Sequence, residues 1–355
     1  MNSERPVLVM AGGTGGHIFP GLAVARALQA QAVPVVWLGS AHGLENQLVP
    51  KAGLHLETLR ISALRGKGGF ALAAAPWRLL RAVIEAVAVL RRHRPRAVIS
   101  FGGFAAGPGG LAAWLTRRPL LVHEQNRLPG LTNKVLAKLA QRVLCGFAHA
   151  LPGSIWVGNP VRTEIAAVPP PAQRMAGRTG LRVLVLGGSQ GARALNRVLP
   201  LAFAQLRDLD LSLRHQCGAR MLDETRAAYA DVQVQVTLEP FIDDMAAAYA
   251  EADLVIARAG ALTLAEVCAA GVGSILVPFP YAVDDHQTAN ARVLVEAGAA
   301  QCIAEAQLDA TDLANRIRVL ATDAAQRLAM AQAARALAKP DADRVVAQHC
   351  LEVAA

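Results

Sequence analysis

Residues suited to phosphate and proton chemistry stand close to the start of the chain, directly after an apolar segment. The run Gly12-Gly13-Thr14-Gly15-Gly16-His17 follows the apolar residues 7–11, and residues 22–28 then show the helical spacing of apolar side chains. A glycine turn between a strand and a helix points backbone N–H groups and the positive end of the helix at an anion. His17, at the tip of this turn, is our candidate base, because a positive helix end keeps an imidazole neutral and able to accept a proton. The alternative is a tight turn in which His17 only caps the helix.

A second glycine turn, residues 187–192, follows the apolar segment 181–186. Neither turn ends in the Gly-Lys-Ser/Thr of a P-loop, and neither is a G-x-G-x-x-G followed about twenty residues later by an acidic residue. One such turn fits any α/β protein. Two turns, each opening one half of the chain, predict two Rossmann-like domains that face one cleft.

Polar side chains follow two further apolar segments. Glu124 and Asn126 come after residues 119–123 and offer hydrogen bonds to sugar hydroxyls, although an Asn there also fits an ordinary turn. The small residues of 259–265 allow a phosphate to approach a helix N-terminus, and Glu266 can accept two hydrogen bonds from a ribose diol. The alternative for Glu266 is a carboxylate that complements the helix dipole.

Residues 284–290 contain amides and a histidine that suit sugar hydroxyls. The alternative is that Asp284 is simply the N-cap of a helix. No Asp-x-Asp follows an apolar segment, as a metal–diphosphate clamp requires. We therefore expect no metal and no cofactor.

Short apolar segments alternate with helical patterns along the chain, which predicts an α/β fold with parallel, doubly wound sheets. The predicted strands are 7–11, 33–38, 54–59, 96–101, 119–123 and 142–146, then 181–186, 209–215, 232–236, 253–257, 274–278 and 300–303. The predicted helices of the first half are 20–30, 44–52, 72–92, 108–117 and 130–140. The prolines at 169–171 stiffen a connection between domains. We predict a first domain of residues 1–161, a second of residues 162–339, and a final helix within 340–355 that packs back on the first.

Composition restricts the class of protein. The 53% apolar and 4% aromatic content of the 355 residues suits closely packed α/β layers. The five cysteines form no C-x-x-C pair, and we expect buried thiols in a reducing compartment. The net charge of +9 fits phosphorylated substrates or an anionic membrane surface, and no zinc-ligand, RNP-like or helix-turn-helix pattern indicates nucleic acid. We also expect no signal peptide and no membrane-spanning segment.

Residues 64–83 differ from the rest of the first half. They interleave arginine with tryptophan, phenylalanine and leucine, and several glycines precede the helical part. An aromatic and leucine face flanked by basic residues is typical of an interfacial membrane contact. The alternative is a surface helix that buries its apolar stripe on the sheet.

Taken in order, the motifs resemble those of the MurG family of N-acetylglucosaminyltransferases over almost the whole chain. The matching motifs are Gly-Gly-Thr-Gly-Gly-His-Ile-Phe-Pro-Gly (12–21), Phe-Gly-Gly-Phe (101–104), His-Glu-Gln-Asn (123–126), Pro-Gly-Leu-Thr-Asn-Lys (129–134), Gly-Asn-Pro-Val-Arg (158–162), Gly-Gly-Ser-Gln-Gly-Ala (187–192), Ala-Gly-Ala-Leu-Thr-Leu-Ala-Glu (259–266) and Asp-His-Gln-Thr-Ala-Asn-Ala (285–291). Any one of these motifs alone is weak evidence, whereas their order along the chain is specific.

The resemblance implies a GT-B fold, with two Rossmann-like domains and a deep cleft. It implies inverting transfer of N-acetylglucosamine from UDP-GlcNAc to the C4 hydroxyl of the muramoyl sugar of lipid I, which gives lipid II in peptidoglycan synthesis without a metal. The implied location is peripheral, on the cytoplasmic face of the bacterial inner membrane. The implied partners are the two substrates, an anionic membrane surface contacted by residues 64–83, and other cell-wall and division proteins.

Residue by residue, the resemblance assigns one group of positions to UDP-GlcNAc: Ser189, Ile242, Ala261, Leu262, Thr263, Leu264, Ala265, Glu266 and Gln287. Arg162 would face the donor diphosphate and Glu266 the ribose. Thr14, Gly15, Gly16 and Asn126 would line the place where donor sugar and acceptor meet. His17 would be the base, and residues 101–104 with the first glycine turn would hold the acceptor diphosphate.

Two positions depart from the family pattern. Phe104 stands where members often have Tyr, and Ala259 stands where they often have Ser, so each position lacks a hydroxyl. Three other functions fit parts of the sequence: another UDP-sugar enzyme of this fold, such as a glycolipid glycosyltransferase or an epimerase; an NAD-dependent oxidoreductase; and a scaffold for cell-wall enzymes. The oxidoreductase requires an acidic residue directly after the second strand, where the chain has Gly39-Ser40-Ala41-His42.

Overall fold

The computed structural model describes residues 5–61, 75–188 and 191–354, and it divides into two compact units. The first unit comprises Met1–Val161 and Lys339–Ala355, and the second comprises Arg162–Ala338. Residues 64–74 of the 64–83 segment and the whole of Ser189 lie outside the described residues. No helix within the described ranges is both long enough and apolar enough to cross a membrane.

The first unit is built on one sheet with the strand order β3-β2-β1-β4-β5-β6-β7, and every described strand pair is parallel. Its strands are β1 (Val7–Ala11), β2 (Val35–Ser40), β3 (His55–Leu59), β4 (Ala97–Gly102), β5 (Leu120–Glu124), β6 (Arg142–Cys145) and β7 (Ile155–Trp156). Its helices are α1 (Gly15–Gln29), α2 (Glu45–Lys51), α3 (Ala75–His93), α4 (Ala106–Leu115), α5 (Leu131–Leu136) and, after the second unit, α15 (Ala342–Glu352). The order reverses direction between β1 and β4, and ligands of such sheets bind beyond the strand ends at that point.

The second unit repeats this plan with the strand order β10-β9-β8-β11-β12-β13, again all parallel. Its strands are β8 (Leu181–Leu186), β9 (Leu211–Gln216), β10 (Gln235–Glu239), β11 (Leu254–Ala257), β12 (Gly273–Leu276) and β13 (Ala300–Cys302). Its helices are α6 (Thr163–Ala166), α7 (Pro171–Arg174), α8 (Arg193–Phe203), α9 (Leu222–Ala228), α10 (Met245–Glu251), α11 (Ala261–Ala270), α12 (His286–Glu296), α13 (Ala310–Thr322) and α14 (Ala324–Ala336). The α/β class with two doubly wound units is thereby confirmed.

The central strands are continuous apolar runs because helices cover both faces of each sheet. Every residue of β1 and β4 is buried. Helix α15 packs against α1, and its Val346, Ala347 and Cys350 join the core beside that helix. This contact ties the end of the chain into the first unit.

The structure differs from the sequence prediction in several respects. Helix α1 begins at Gly15 rather than near residue 20, so the glycine turn is shorter than expected. Strand β7 was not predicted, because its two residues are exposed and too few to show a pattern. Strand and helix bounds elsewhere shift by one to several residues. Cys145, Cys217, Cys268 and Cys350 are buried free thiols as expected, whereas Cys302 is only partly buried.

Candidate active site

The first glycine turn leads directly into α1, with Thr14 as its N-cap in extended conformation. His17 therefore lies within the first turn of the helix and not at the tip of a loop, which corrects the prediction. Its Nδ1 is 3.2 Å from the carbonyl oxygen of Gly12. A carbonyl oxygen can only accept, so Nδ1 carries a proton, and in the neutral imidazole Nε2 then carries the lone pair. This is the tautomer that a general base at Nε2 requires.

The loop after β4 contacts this turn. Gly103 has φ +96°, and a Cβ at that position would lie 2.5 Å from the backbone oxygen of Gly12. A Cβ on Gly102 would lie 3.2 Å from Nε2 of His17. The backbone of the 101–104 motif therefore lies against the imidazole of His17. The Phe104 side chain is exposed. The assignment of this motif to the acceptor diphosphate stays a prediction.

At the carboxyl end of β5, Glu124 is buried and stabilises its own loop. It accepts hydrogen bonds from the backbone N–H of Asn126 (2.9 Å), the backbone N–H of Gly130 (3.2 Å) and the Asn133 amide (2.9 Å). The expectation that Glu124 would bind a sugar hydroxyl is not supported, because these donors occupy both carboxylate oxygens. Its effect is to position Asn126, which is only partly buried.

His123 precedes Glu124 and has a structural role. Its Nε2 donates to the carbonyl of Gly158 (2.9 Å), and its ring lies 5.3 Å from that of Phe101. Burial lowers the pKa of His123 to about 4, although the hydrogen bond to Gly158 acts in the opposite direction. The imidazole is therefore neutral and belongs to the core of the first unit.

In the second unit, α11 begins directly after Gly260 and carries no acidic residue in its first turn. Leu262, Thr263 and Ala265 are partly exposed there, whereas Ala261 and Leu264 are buried. Free backbone N–H groups and the helix dipole at such an N-terminus suit a phosphate. Residues 261–265 therefore form the start of a helix, and the approach of a phosphate to them stays a prediction.

Glu266 lies on α11, and its carboxylate contacts two side chains of the same unit. Nη2 of Arg162 is 3.1 Å from Oε1, and the Tyr249 hydroxyl donates to Oε2 at 3.2 Å. Burial raises the pKa of Glu266 above its usual value, and the charge and hydrogen bond of Arg162, with the hydrogen bond from Tyr249, offset only part of this effect. Arg162 and Glu266, assigned by resemblance to different parts of the donor, thus hold each other in this structure.

Gln287 lies on α12 and connects two loops of the second unit. Its Oε1 accepts hydrogen bonds from the backbone N–H of Ala259 (3.1 Å) and of Phe279 (2.9 Å), so the side-chain NH₂ is the group left for a ligand. The N-cap of α12 is Asp285 and not Asp284, and it makes no side-chain cap hydrogen bond. Ile242 is buried.

Sequence reasoning missed two side chains that contact the predicted site residues. Tyr249 is fully buried and gave no signal, because its partner Glu266 is distant in the sequence. Glu45 is fully buried and accepts a hydrogen bond from the backbone N–H of Gly13 (3.0 Å). A charged residue close to Gly39 and Gly43 was the available signal for Glu45.

Among the described residues, one group of His, Cys, Asp and Glu side chains is close enough to hold a metal: His55, Glu57 and His93. It lies on β3 and at the end of α3, with Arg92 also bonded to Glu57 at 3.0 Å. Most of the predicted site residues instead lie in the turns that follow strands β1, β5 and β11 or in the first turns of the helices after them. This group is therefore separate from the candidate active site.

Comparison with known proteins identifies the family. Residues 7–145 match the glycosyltransferase family 28 N-terminal domain, and residues 182–346 match its C-terminal domain. A protein of Xanthomonas campestris pv. campestris (strain 8004) is 60% identical over 99% of this chain and 83% of its own length, and one of Xylella fastidiosa (strain M12) is 57% identical over 98% and 96%. Both are named UDP-N-acetylglucosamine--N-acetylmuramyl-(pentapeptide) pyrophosphoryl-undecaprenol N-acetylglucosamine transferase. The crystal structure of Acinetobacter baumannii MurG superposes with a TM-score of 0.87 at 40% identity, covering 98% of this chain and 99% of that one.

This chain belongs to the MurG family. The MurG-family member is a glycosyltransferase, and its N-terminal family 28 domain contains the glycine turn with His17 while its C-terminal one contains α11 with Glu266. The glycosyltransferase of kitacinnamycin superposes with a TM-score of 0.72 at 17% identity. At this identity the similarity concerns the fold only. The family resemblance and the enzyme class read from the sequence are confirmed.

Proposed function

We propose that this MurG-family enzyme transfers N-acetylglucosamine from UDP-GlcNAc to the C4 hydroxyl of the muramoyl sugar of lipid I, giving lipid II with inversion at C1. One observation carries the proposal: relatives 57–60% identical over nearly the whole chain are named for this transfer. The fold alone does not identify the acceptor substrate, because structures of other glycosyltransferases at 17–18% identity share this fold.

On the donor side, the proposal assigns the uridine diphosphate to the second unit. The N-terminus of α11 would receive a phosphate, and Arg162 would balance the charge that develops on UDP as it leaves. Glu266 would accept hydrogen bonds from the ribose hydroxyls, and the NH₂ of Gln287 would donate to the donor sugar. Ser189, Ile242 and residues 261–265 complete the assignment by family resemblance.

On the acceptor side, the proposal assigns catalysis to His17. Its Nε2 would remove the proton from the C4 hydroxyl as the hydroxyl oxygen attacks C1 and the bond to UDP breaks. Thr14, Gly15, Gly16 and Asn126 would line this reaction site. The protein contributes a base and donors for the leaving diphosphate, and we propose that no metal is needed.

The proposal includes peripheral binding to the cytoplasmic face of the inner membrane. Helix α3 buries Val83, Ala86 and Leu90 in the first unit, as the surface-helix alternative expected. Its opposite side exposes large apolar side chains one turn apart: Trp77 (71% exposed), Leu80 (50%) and Ile84 (61%). Arg78 and Arg81 flank them and are exposed. An apolar row beside arginines supports docking on anionic lipid.

The deciding experiment measures radiolabelled sugar transfer from UDP-GlcNAc to a short-chain lipid I analogue, with EDTA present. Product formation is expected at the rate seen without EDTA. Transfer that stops in EDTA and returns with Mg²⁺ would overturn the metal-independent mechanism. Absence of transfer, with UDP-GlcNAc still bound, would overturn the acceptor assignment, and formation of an epimerised UDP-sugar would favour the epimerase alternative.

A further inference from the structure

We propose that Glu45 is a positioning residue for the base, acting on His17 through the peptide group between Gly12 and Gly13. This inference rests on the proposed function in taking His17 as the base. The two side chains belong to different helices of the first unit, α2 and α1. A backbone peptide group connects them.

The link consists of two hydrogen bonds on opposite ends of one peptide group. The N–H of Gly13 donates to Oε2 of Glu45 at 3.0 Å, and the carbonyl oxygen of Gly12 accepts from Nδ1 of His17 at 3.2 Å. A carboxylate that accepts from the N–H polarises the amide, which makes its carbonyl oxygen a stronger acceptor. The Nδ1–H bond then strengthens, and the imidazolium formed on proton transfer is stabilised.

The carboxylate of Glu45 is enclosed and held in place. Its Oε1 accepts the backbone N–H of Ser40 at 2.9 Å and the Ser40 hydroxyl at 2.6 Å. A Cβ added to Gly12, Gly39 or Gly43 would lie 2.4, 2.7 or 2.0 Å from a Glu45 atom. The chain therefore has no side chain at three positions around one carboxylate, which leaves room for that group and little else.

Glu45 is ionised despite its burial. Burial raises the pKa of its carboxyl, but the hydrogen bonds from Ser40 and Gly13 outweigh this effect, and the pKa lies below its usual value. A buried charge without a countercharge is costly unless such donors surround it. No salt bridge to Glu45 is present among the described residues, so its charge acts on the peptide dipoles around it.

The elements that pack on α1 within the described residues carry few titratable groups. Strands β1, β2 and β4 carry no titratable side chain. Apart from Glu45, the titratable groups of α2 and α15 are Lys51, Asp343, Arg344, His349, Cys350 and Glu352. Of these, Arg344 pairs with Asp341, and Glu352 pairs with Arg142. Glu45 is the one in hydrogen-bond contact with the glycine turn.

The test begins with the unaltered protein, selectively labelled with ¹⁵N-histidine and ¹⁵N-glycine. The imidazole nitrogens of His17 are expected to report the Nδ1–H tautomer, and the Gly13 amide is expected to shift with the same midpoint as His17 during a pH titration. An Nε2–H tautomer, or a Gly13 amide that ignores the titration of His17, would overturn the proposal without any variant.

Glu45→Gln then removes the charge while keeping the size of the side chain. The His17 titration midpoint is expected to move down by about half to one pH unit, and kcat at neutral pH to fall about tenfold. The KM for UDP-GlcNAc is expected to stay unchanged. Ser40→Ala is the matched control, because it removes a hydrogen bond to Glu45 and leaves both its charge and the Gly13 bond.

A folded Glu45→Gln protein with an unmoved His17 midpoint would contradict the inference, as would an equal shift in Ser40→Ala. These readouts separate the inference from the proposed function. The titration shift needs no turnover, whereas failure of sugar transfer by the unaltered protein counts against the proposed reaction alone.

Discussion

Arg162 and Glu266 form an ion pair within the second unit, with Nη2 3.1 Å from Oε1. The carboxylate is buried, and its other oxygen accepts the hydroxyl of Tyr249, which has no exposed surface. Removing one partner of a buried, hydrogen-bonded charge leaves the other without compensation. The pair therefore holds the Glu266 carboxylate in place on α11, where the proposed function requires an acceptor for ribose hydroxyls.

Glu266→Gln is expected to raise the KM for UDP-GlcNAc about 10- to 100-fold, because a neutral amide loses both the ion pair and a charged acceptor. The effect on kcat should be smaller. Steady-state kinetics with Glu296→Gln, an exposed position on α12, as control measures the difference. Equal KM values for the two variants would remove Glu266 from the donor site.

Tyr249→Phe tests the same carboxylate without changing its charge. It deletes the hydroxyl that donates to Oε2 and keeps the buried ring. We expect the KM for UDP-GlcNAc to rise about tenfold or more, since one hydrogen bond to a charged group contributes about 1.5–3 kcal/mol and 1.4 kcal/mol is about tenfold. Isothermal titration with UDP-GlcNAc measures the loss, and unchanged affinity would show that Arg162 alone holds Glu266.

His17→Ala is expected to lower kcat about 100- to 10,000-fold, which is the usual contribution of a general base. Binding of UDP-GlcNAc should be retained, because the donor groups belong to the second unit. His55→Ala, on the exposed edge of β3, is the matched control for losing an imidazole. Turnover within a few-fold of the unaltered enzyme would exclude His17 as the base.

Gly103→Ala is expected to destabilise the first unit and abolish transfer. Its φ is +96°, and the new Cβ would meet the backbone of Gly12 at 2.5 Å. Gly153→Ala is a close control, because its φ of +69° brings the same kind of backbone strain with nothing within 4 Å. Urea unfolding should show a loss about 1–3 kcal/mol greater for Gly103→Ala. Similar losses for both would mean that the collision is relieved by movement of the loop.

Stability is expected to fall as pH drops from 6.5 toward 4. Burial lowers the pKa of His215 to about 4, below the ordinary value of 6.5, so in this window the unfolded chain binds a proton that the folded chain does not. Its stabilising effect is complete above pH 6.5 and is lost as pH falls. At pH 5 the loss from one such histidine is about 2 kcal/mol. His215→Gln should reduce the difference between urea unfolding free energies at pH 7 and pH 5 by about that amount, and an unchanged difference would exclude His215 as its source.

The parts of the site that the sequence predicted are those whose residues lie next to one another along the chain. The glycine turn, the 101–104 motif and residues 259–266 were each recognisable, because each is a continuous run after an apolar strand. The Arg162–Glu266–Tyr249 group was not, since its members come from three separated segments that only the folded second unit brings together. Glu124 was recognised as polar but assigned to the wrong partner, because its hydrogen bonds go to loop atoms that follow it.

The sequence by itself determined the α/β class, the two repeated strand–glycine–helix units and the family, because apolar periodicity and ordered motifs are local properties of the chain. The tertiary structure determined which atoms of those motifs form hydrogen bonds and with which partners. It placed His17 inside α1 with Nδ1 on the Gly12 carbonyl, and it buried Glu45 against Gly13. Hydrogen bonds between distant segments form only when strands β1 and β2 and their helices pack together, and no local pattern specifies them.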